Sequence, residues 1–109
     1  MPEIPDYQSL MLPLLHLSAN GSISLQSAVQ KLGEKFGLTP EQMVQKLPSG
    51  QAIIYNRTGW AKTELVKAGL VEQPRRGSFN ITNRGRALLD EKPERIDRRF
   101  LMRFNEVCA

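Results

Sequence analysis

The sequence predicts an α+β domain, mostly helical, and three observations lead there. Apolar residues recur at helical spacing in several separate stretches. Helix start and stop signals stand between those stretches. One pair of short segments with alternating apolar residues flanks a basic, glycine-containing turn.

Taken in order, Asp6–Ser18 places Tyr7, Leu10, Met11, Leu14 and Leu15 at i, i+3, i+4, i+7 and i+8, the pattern of an amphipathic helix. Pro13 lies inside it and is expected to kink it, because its ring clashes with the carbonyl of Ser9. Asn20-Gly21 is a turn, and Ser22–Leu25 suits one short strand. A second helix carries Leu25, Ala28, Val29, Leu32 and Phe36 on one face and stops at Gly37. Thr39-Pro40-Glu41-Gln42 is a complete start signal. Thr39 caps, Pro40 takes the first turn where its missing N–H is harmless, and Gln42 closes a capping box. This third helix is short and is expected to end at Leu47, ahead of Pro48-Ser49-Gly50.

A fourth helix begins between Ile53 and Asn56 and runs to Ala68, with Gly69 as its left-handed cap. Ile54, Thr58, Ala61, Leu65 and Ala68 face inward, while Tyr55, Asn56, Gly59, Lys62, Thr63, Val66 and Lys67 point outward. Trp60 falls at the boundary and is expected to pack beneath the helix. Leu70–Gln73 and Ser78–Thr82, joined by Pro74-Arg75-Arg76-Gly77, form a β-hairpin with a doubly charged tip. Thr82 then caps a helix over Asn83–Glu91 that turns Ala87 and Leu88 inward. Beyond Pro93, Ile96, Phe100, Phe104 and Val107 recur at +4, +8 and +11 and predict a last amphipathic helix within Glu94–Ala109. The sum is a winged helix-turn-helix with a two- to three-stranded wing and an extra C-terminal helix.

At 109 residues this is one domain, long enough to bury a core without a disulfide or a metal. One Cys (Cys108) and one His (His16) exclude disulfide frameworks and standard zinc sites by count, and no cofactor is expected. No apolar run approaches the ~18 residues of a membrane span, and the N-terminus lacks the plan of a signal peptide. A reducing, cytoplasmic setting fits. The net charge of +4 is unevenly placed. Residues 1–50 carry three Lys against four acids, whereas residues 51–109 carry twelve basic against seven acidic residues and all nine arginines. Within residues 51–89 seven basic residues face only Glu64 and Glu72. A localised basic field suits a polyanion, although a solvated basic face would look the same by composition.

Catalytic signatures are weak. Asp90-Glu91-Lys92 spells a D-x-K triplet, but it falls at a helix end and its nearest upstream Asp is Asp6, so a solvated terminus accounts for it. Phosphate-cradling and nucleophile-elbow motifs are missing. His16 falls on the polar side of the first helix as a solvated imidazole, and Cys108 reads as an inert thiol.

The run Ala68-Gly69-Leu70-Val71-Glu72, the basic turn with Gly77, and Phe79-x-Ile81-Thr82-x-x-Gly85 resemble the wing of winged-helix DNA-binding domains. More specifically, the chain resembles the N-terminal domain of Mrr-type restriction endonucleases, the modification-dependent type IV enzymes. The stretches that carry this are Pro5-Asp6-Tyr7, Met11-Leu12-Pro13-Leu14-Leu15, Leu47-Pro48-Ser49-Gly50 and Asn56-Arg57-x-Gly59-Trp60-Ala61-Lys62-Thr63. Ser78-Phe79 after Pro74-Arg75-Arg76-Gly77, and the tail Pro93-Glu94-Arg95-Ile96-Asp97, complete the set. The resemblance implies a DNA-binding domain over residues 1–92, followed by a C-terminal helix or linker over 93–109 that leads towards a nuclease domain of the PD-(D/E)XK type. The sequence stops where that domain would begin, so no catalysis is expected of these residues alone.

On that reading, the fourth helix lies in the major groove. Asn56 pairs with adenine, Arg57 with guanine or a phosphate, and Thr63 meets a thymine or a methylated base. Lys62 and Lys67 flank the ridge as phosphate partners, beside Tyr55. Arg75 and Arg76 at the wing tip, with Asn80, reach the minor groove or the flanking backbone. Glu64 and Glu72 are expected off that surface. The expected partner is double-stranded DNA, methylated or not, with a homodimer through residues 94–109 as one use of the last apolar stripe. The competing functions are a stand-alone transcriptional regulator and a protein-interaction platform of the same fold.

Overall fold

The chain's first helix starts where Asp6 stops being helical: its extended backbone and its carboxylate, which accepts the Ser9 N–H at 2.7 Å, make it an N-cap. This computed structural model describes residues 4–75, 77–97 and 99–101. Its elements in chain order are α1 (Tyr7–Ser18), β1 (Ile23–Ser24), α2 (Leu25–Lys35), α3 (Pro40–Val44), α4 (Ile53–Lys67), β2 (Val71–Arg75), β3 (Ser78–Ile81) and α5 (Asn83–Asp90). The fold is α+β with the antiparallel sheet order β1-β3-β2, compatible with a winged helix.

Helices α1, α2 and α4 enclose the core, and α1 packs chiefly on α4. Leu10, Met11, Leu14 and Leu15 of α1 meet Ile54, Ala61 and Leu65 of α4 there, all fully buried. α1 passes through Pro13 without a break. Among the described residues the two buried hydroxyls are satisfied within their own helices, Thr58 donating to the Ile54 carbonyl and Ser18 to that of Leu15, each at 2.7 Å. The short β1 pairs Ile23 with Phe79, so the hairpin β2–β3 is fastened to the helices through a third strand.

α3 carries the expected capping box between Thr39 and Gln42, but it ends at Val44 rather than Leu47. Leu47 precedes Pro48, which disfavours helical backbone there. The segment instead closes on itself through an antiparallel bridge between Lys46 and Ala52. Leu47 N–H donates to the Gln51 carbonyl and Ile53 N–H to that of Gln45, which fixes where α4 begins although Ala52 supplies no side-chain cap.

Two further expectations are corrected. Ala87 is exposed on α5; Gly85 and Leu88 are its buried residues, spaced three apart, and Ala87 lies on the other side of that turn. Residues 93–97 are not helical. Asp97 Oδ1 caps instead, accepting the Phe100 N–H at 2.8 Å, and residues 99–101 are helical beyond it. Ile96 and Leu101 are buried in the same core as α1, with Phe100 packed against it. Phe104 and Val107 of the expected stripe, and Cys108, lie outside the described residues.

Candidate nucleic-acid interface

The inward set Ile54, Thr58, Ala61 and Leu65 commits one side of α4 to the core. What remains is the face bearing Tyr55, Asn56, Gly59, Trp60, Lys62, Thr63, Val66 and Lys67. Among the described residues the exposed large apolar side chains are Val44, Tyr55, Trp60 and Val66, three of them on this one helix. Trp60 is 53% exposed, not packed beneath the helix as the sequence suggested. The cause is angular. Six residues on from Ile54, Trp60 has rotated about 120° from the buried stripe, beyond the reach of the core. The helical wheel alone carried that signal.

The polar residues of this face are held locally. Asn56 Nδ2 donates to Gln51 Oε1 at 2.8 Å, and Thr63 Oγ1 donates to the Gly59 carbonyl at 3.0 Å. Lys62 Nζ donates to Gln73 Oε1 of β2 at 3.2 Å, a link from helix to wing. Lys67 stands 3.9 Å from Glu64, whose side chain is largely covered. Gln51 and Gln73 are the partners sequence reasoning missed; neither stands in a motif.

Arg57 points elsewhere. Its Nη1 donates to the Ile4 carbonyl at 2.7 Å and to that of Pro5 at 3.3 Å, tying the N-terminal segment to α4. The neighbouring Asp6 carboxyl is held below its usual value, chiefly by the Ser9 backbone N–H and further by the charges of Arg95 and Arg57. Arg84 is likewise a tie, its Nη1 donating to the Ala68 carbonyl at the C-terminal end of α4 at 3.1 Å.

The wing is locked to the same helix end. Gly69 adopts φ 76°, Thr82 Oγ1 donates to its carbonyl at 2.6 Å, and Thr82 N–H donates to the Leu70 carbonyl. Val71 and Ile81 pair on the buried side of the hairpin, Glu72 and Asn80 on the exposed side. The register shifts between Glu72 and Arg75, where Pro74 has no N–H to give the ladder. Asn80 Nδ2 donates to Glu72 Oε1 at 3.0 Å, so Glu72 shares the outer face of the hairpin with Asn80 instead of standing apart from it. Arg75 is exposed at the end of β2; Arg76 lies outside the described residues.

Among the described residues no group of three or more His, Cys, Asp or Glu could hold a metal ion. No helix among them is long and apolar enough to cross a membrane.

Residues 7–91 match the family model described as the Mrr N-terminal domain. A curated relative, the type IV methyl-directed restriction enzyme EcoKMrr of Escherichia coli (strain K12), is 29% identical over 84 residues. Those residues are 75% of this chain and 28% of the relative, so the chain spans little more than a quarter of that enzyme's length. No solved structure matches the chain.

Proposed function

For a chain that belongs to the Mrr N-terminal domain family, we propose the role of a DNA-binding module that brings a restriction nuclease to its target. The observation that carries this reading is the outward face of α4. It sets Asn56, Lys62 and Thr63 beside an exposed Trp60 and next to a wing ending in Arg75. Short polar side chains on a helix ridge read base edges in the major groove, and flanking lysines hold phosphates.

The contact set is narrower than composition suggests. Asn56 and Thr63 are the base readers, and Lys62, Lys67, Arg75 and its sequence neighbour Arg76 are the phosphate partners. Arg57 is left out because its guanidinium is engaged with the Ile4 and Pro5 carbonyls. Asn80 is left out because its amide is held by the Glu72 carboxylate, whose charge opposes a phosphate, whereas the partner of the Asn56 amide is the neutral Gln51. The nuclease chemistry belongs to a separate domain; Ile96, Phe100 and Leu101 pack with the core of this one, so the connection towards it lies C-terminal to them.

A binding titration with unmodified and methylated duplexes at two salt concentrations tests this. Four neutralised phosphates give a log–log salt slope of about −3 to −4. A slope near zero would remove the reading. It would favour a protein partner, for which the exposed Tyr55, Trp60 and Val66 are suited.

A further inference from the structure

Residues 1–50 hold only three lysines against four acids, yet two of those lysines meet at one groove. The groove runs along α1. Leu10, Met11, Leu14 and Leu15 turn one side of that helix to the core, while Ser9, Pro13, His16 and Asn20 recur at i, i+4, i+7 and i+11 on the opposite side. With the end of α2 and residues 94–96 they line a hollow of about 510 Å³, within the roughly 300–1,000 Å³ in which proteins hold ligands. Its floor is apolar: Leu12, Pro13, Leu17 and Phe36 are half-buried and Ile96 is fully buried. Its rim is cationic, with Lys31, Lys35 and Arg95 exposed against one acid, Glu94. Lys31 and Lys35 stand one turn apart on α2, where like charges repel, and neither forms an ion pair among the described residues. Lys35 answers the carbonyls at the end of α2; Lys31, a turn earlier, has no such duty. Arg95 shares its field with Asp6, which leaves the two lysines as the chief cations of the rim.

We propose that this groove docks an acidic, amphipathic segment of a partner protein, with one large apolar side chain on the floor and carboxylates against Lys31 and Lys35. Charge selects that occupant. Residues 98–109 of this chain carry Arg98, Arg99 and Arg103 against Glu106, and a second copy of the chain has a net charge of +4, so the rim repels both. A nucleic-acid backbone matches the rim but leaves the apolar floor unanswered. A segment that brackets an aromatic or aliphatic anchor with Asp or Glu answers both. Position keeps this surface apart from the DNA reading. The packed pair α1 and α4 stands between the groove and the outward face of α4, so a partner seated here leaves Asn56, Lys62 and Thr63 free. The groove is therefore a protein-docking site whether or not the other face binds DNA.

The test is a selection of random peptides displayed on phage against the full chain, followed by fluorescence anisotropy of the strongest binder as a free peptide. That peptide should carry net negative charge around at least one large apolar residue. Replacing its apolar residue by Ser should weaken binding more than about tenfold, the fold-change of one buried large side chain. Lys31→Gln combined with Lys35→Gln should weaken it at least about fivefold, as expected of two surface ion pairs. Lys46→Gln, at the third lysine of that half, should leave it unchanged. Both lysines of the pair are exposed, so circular dichroism should show the double variant folded like the native chain. No enrichment, an enriched peptide that is neutral or basic, or an affinity that ignores either the anchor or the two lysines would overturn the proposal. So would displacement of the peptide by duplex DNA, which would assign the groove to the nucleic acid.

Discussion

Alanine at position 85 should destabilise the domain, although it replaces a glycine inside a helix, where alanine ordinarily adds stability. A Cβ built on Gly85 overlaps the Leu70 carbonyl oxygen and crowds Ile81 Cγ1. Neither neighbour can give way cheaply. The Leu70 carbonyl already accepts the Thr82 N–H at 3.0 Å, and Ile81 is buried opposite Val71 in the hairpin. Gly85 itself donates to Thr82 Oγ1 at 3.1 Å, which in turn holds the Gly69 carbonyl, so a shift of α5 would loosen the joint between α4 and the wing. Overpacking of this kind costs about 1–3 kcal/mol, more than the roughly 0.5–1 kcal/mol that alanine contributes as a helix former. The net loss of about 1–2 kcal/mol lowers the melting temperature of a domain this size by roughly 4–12 °C. Thermal unfolding followed by circular dichroism measures it. A Gly85→Ala variant melting at or above the native temperature would show that the close approach of α5 to Leu70 is not a constraint.

Other consequences are equally measurable. Trp60→Ala should cost less than about 1.5 kcal/mol of stability, because the ring is already half in water, while weakening duplex binding at least fivefold; unchanged affinity would place the ring outside the contact. Arg57→Ala should cost about 1–2 kcal/mol in a denaturant melt and leave the salt slope of DNA binding alone. A slope reduced by about one unit with stability intact would return Arg57 to the phosphates. Asp6 has a depressed pKa, so its charge adds stability above the usual aspartate value of 3.8, and this is lost as pH falls through the lowered folded value. The native chain should therefore exceed Asp6→Asn in melting temperature at neutral pH, with the gap closing below about pH 4; a gap independent of pH would show that the carboxylate charge is irrelevant to the cap.

Much of this fold was legible because its signals are local. Asp6, the Thr39–Gln42 box, Gly69 and Thr82 act within a few residues of themselves, and the buried stripes of α1 and α4 follow from helical spacing alone. The errors arise where a local pattern met a longer-range partner. Ile96 and Phe100 stand four apart, as on a helix, yet Asp97 starts the helix between them and Leu101 is buried alongside Ile96. Arg57 looked like a reader because it follows Asn56 at the start of α4; its partners, the Ile4 and Pro5 carbonyls, lie more than fifty residues earlier. Side-chain partners at such separation leave no trace in spacing. The candidate surface was legible as a helix face, because the outward set of α4 follows from the same helical spacing as its buried stripe.

The distribution of charge changes what the basic half of the chain can do. Of the seven basic residues in 51–89, Arg57 and Arg84 hold backbone carbonyls, and Lys67 sits within reach of Glu64. The cations placed to touch a phosphate directly are therefore fewer than the sequence count implies, although guanidiniums bonded to neutral carbonyls keep their charge and still add to the field. The wing adds a second restriction. Glu72 stands on the outer face of the hairpin, and a carboxylate there opposes any phosphate laid along the strands. Under the proposed role, contact from the wing is thus confined to its tip, at Arg75 and its sequence neighbour Arg76. With few phosphates to grip, a DNA-binding module of the kind proposed would draw a larger share of its binding from the face of α4, where Asn56, Thr63 and the aromatic rings stand.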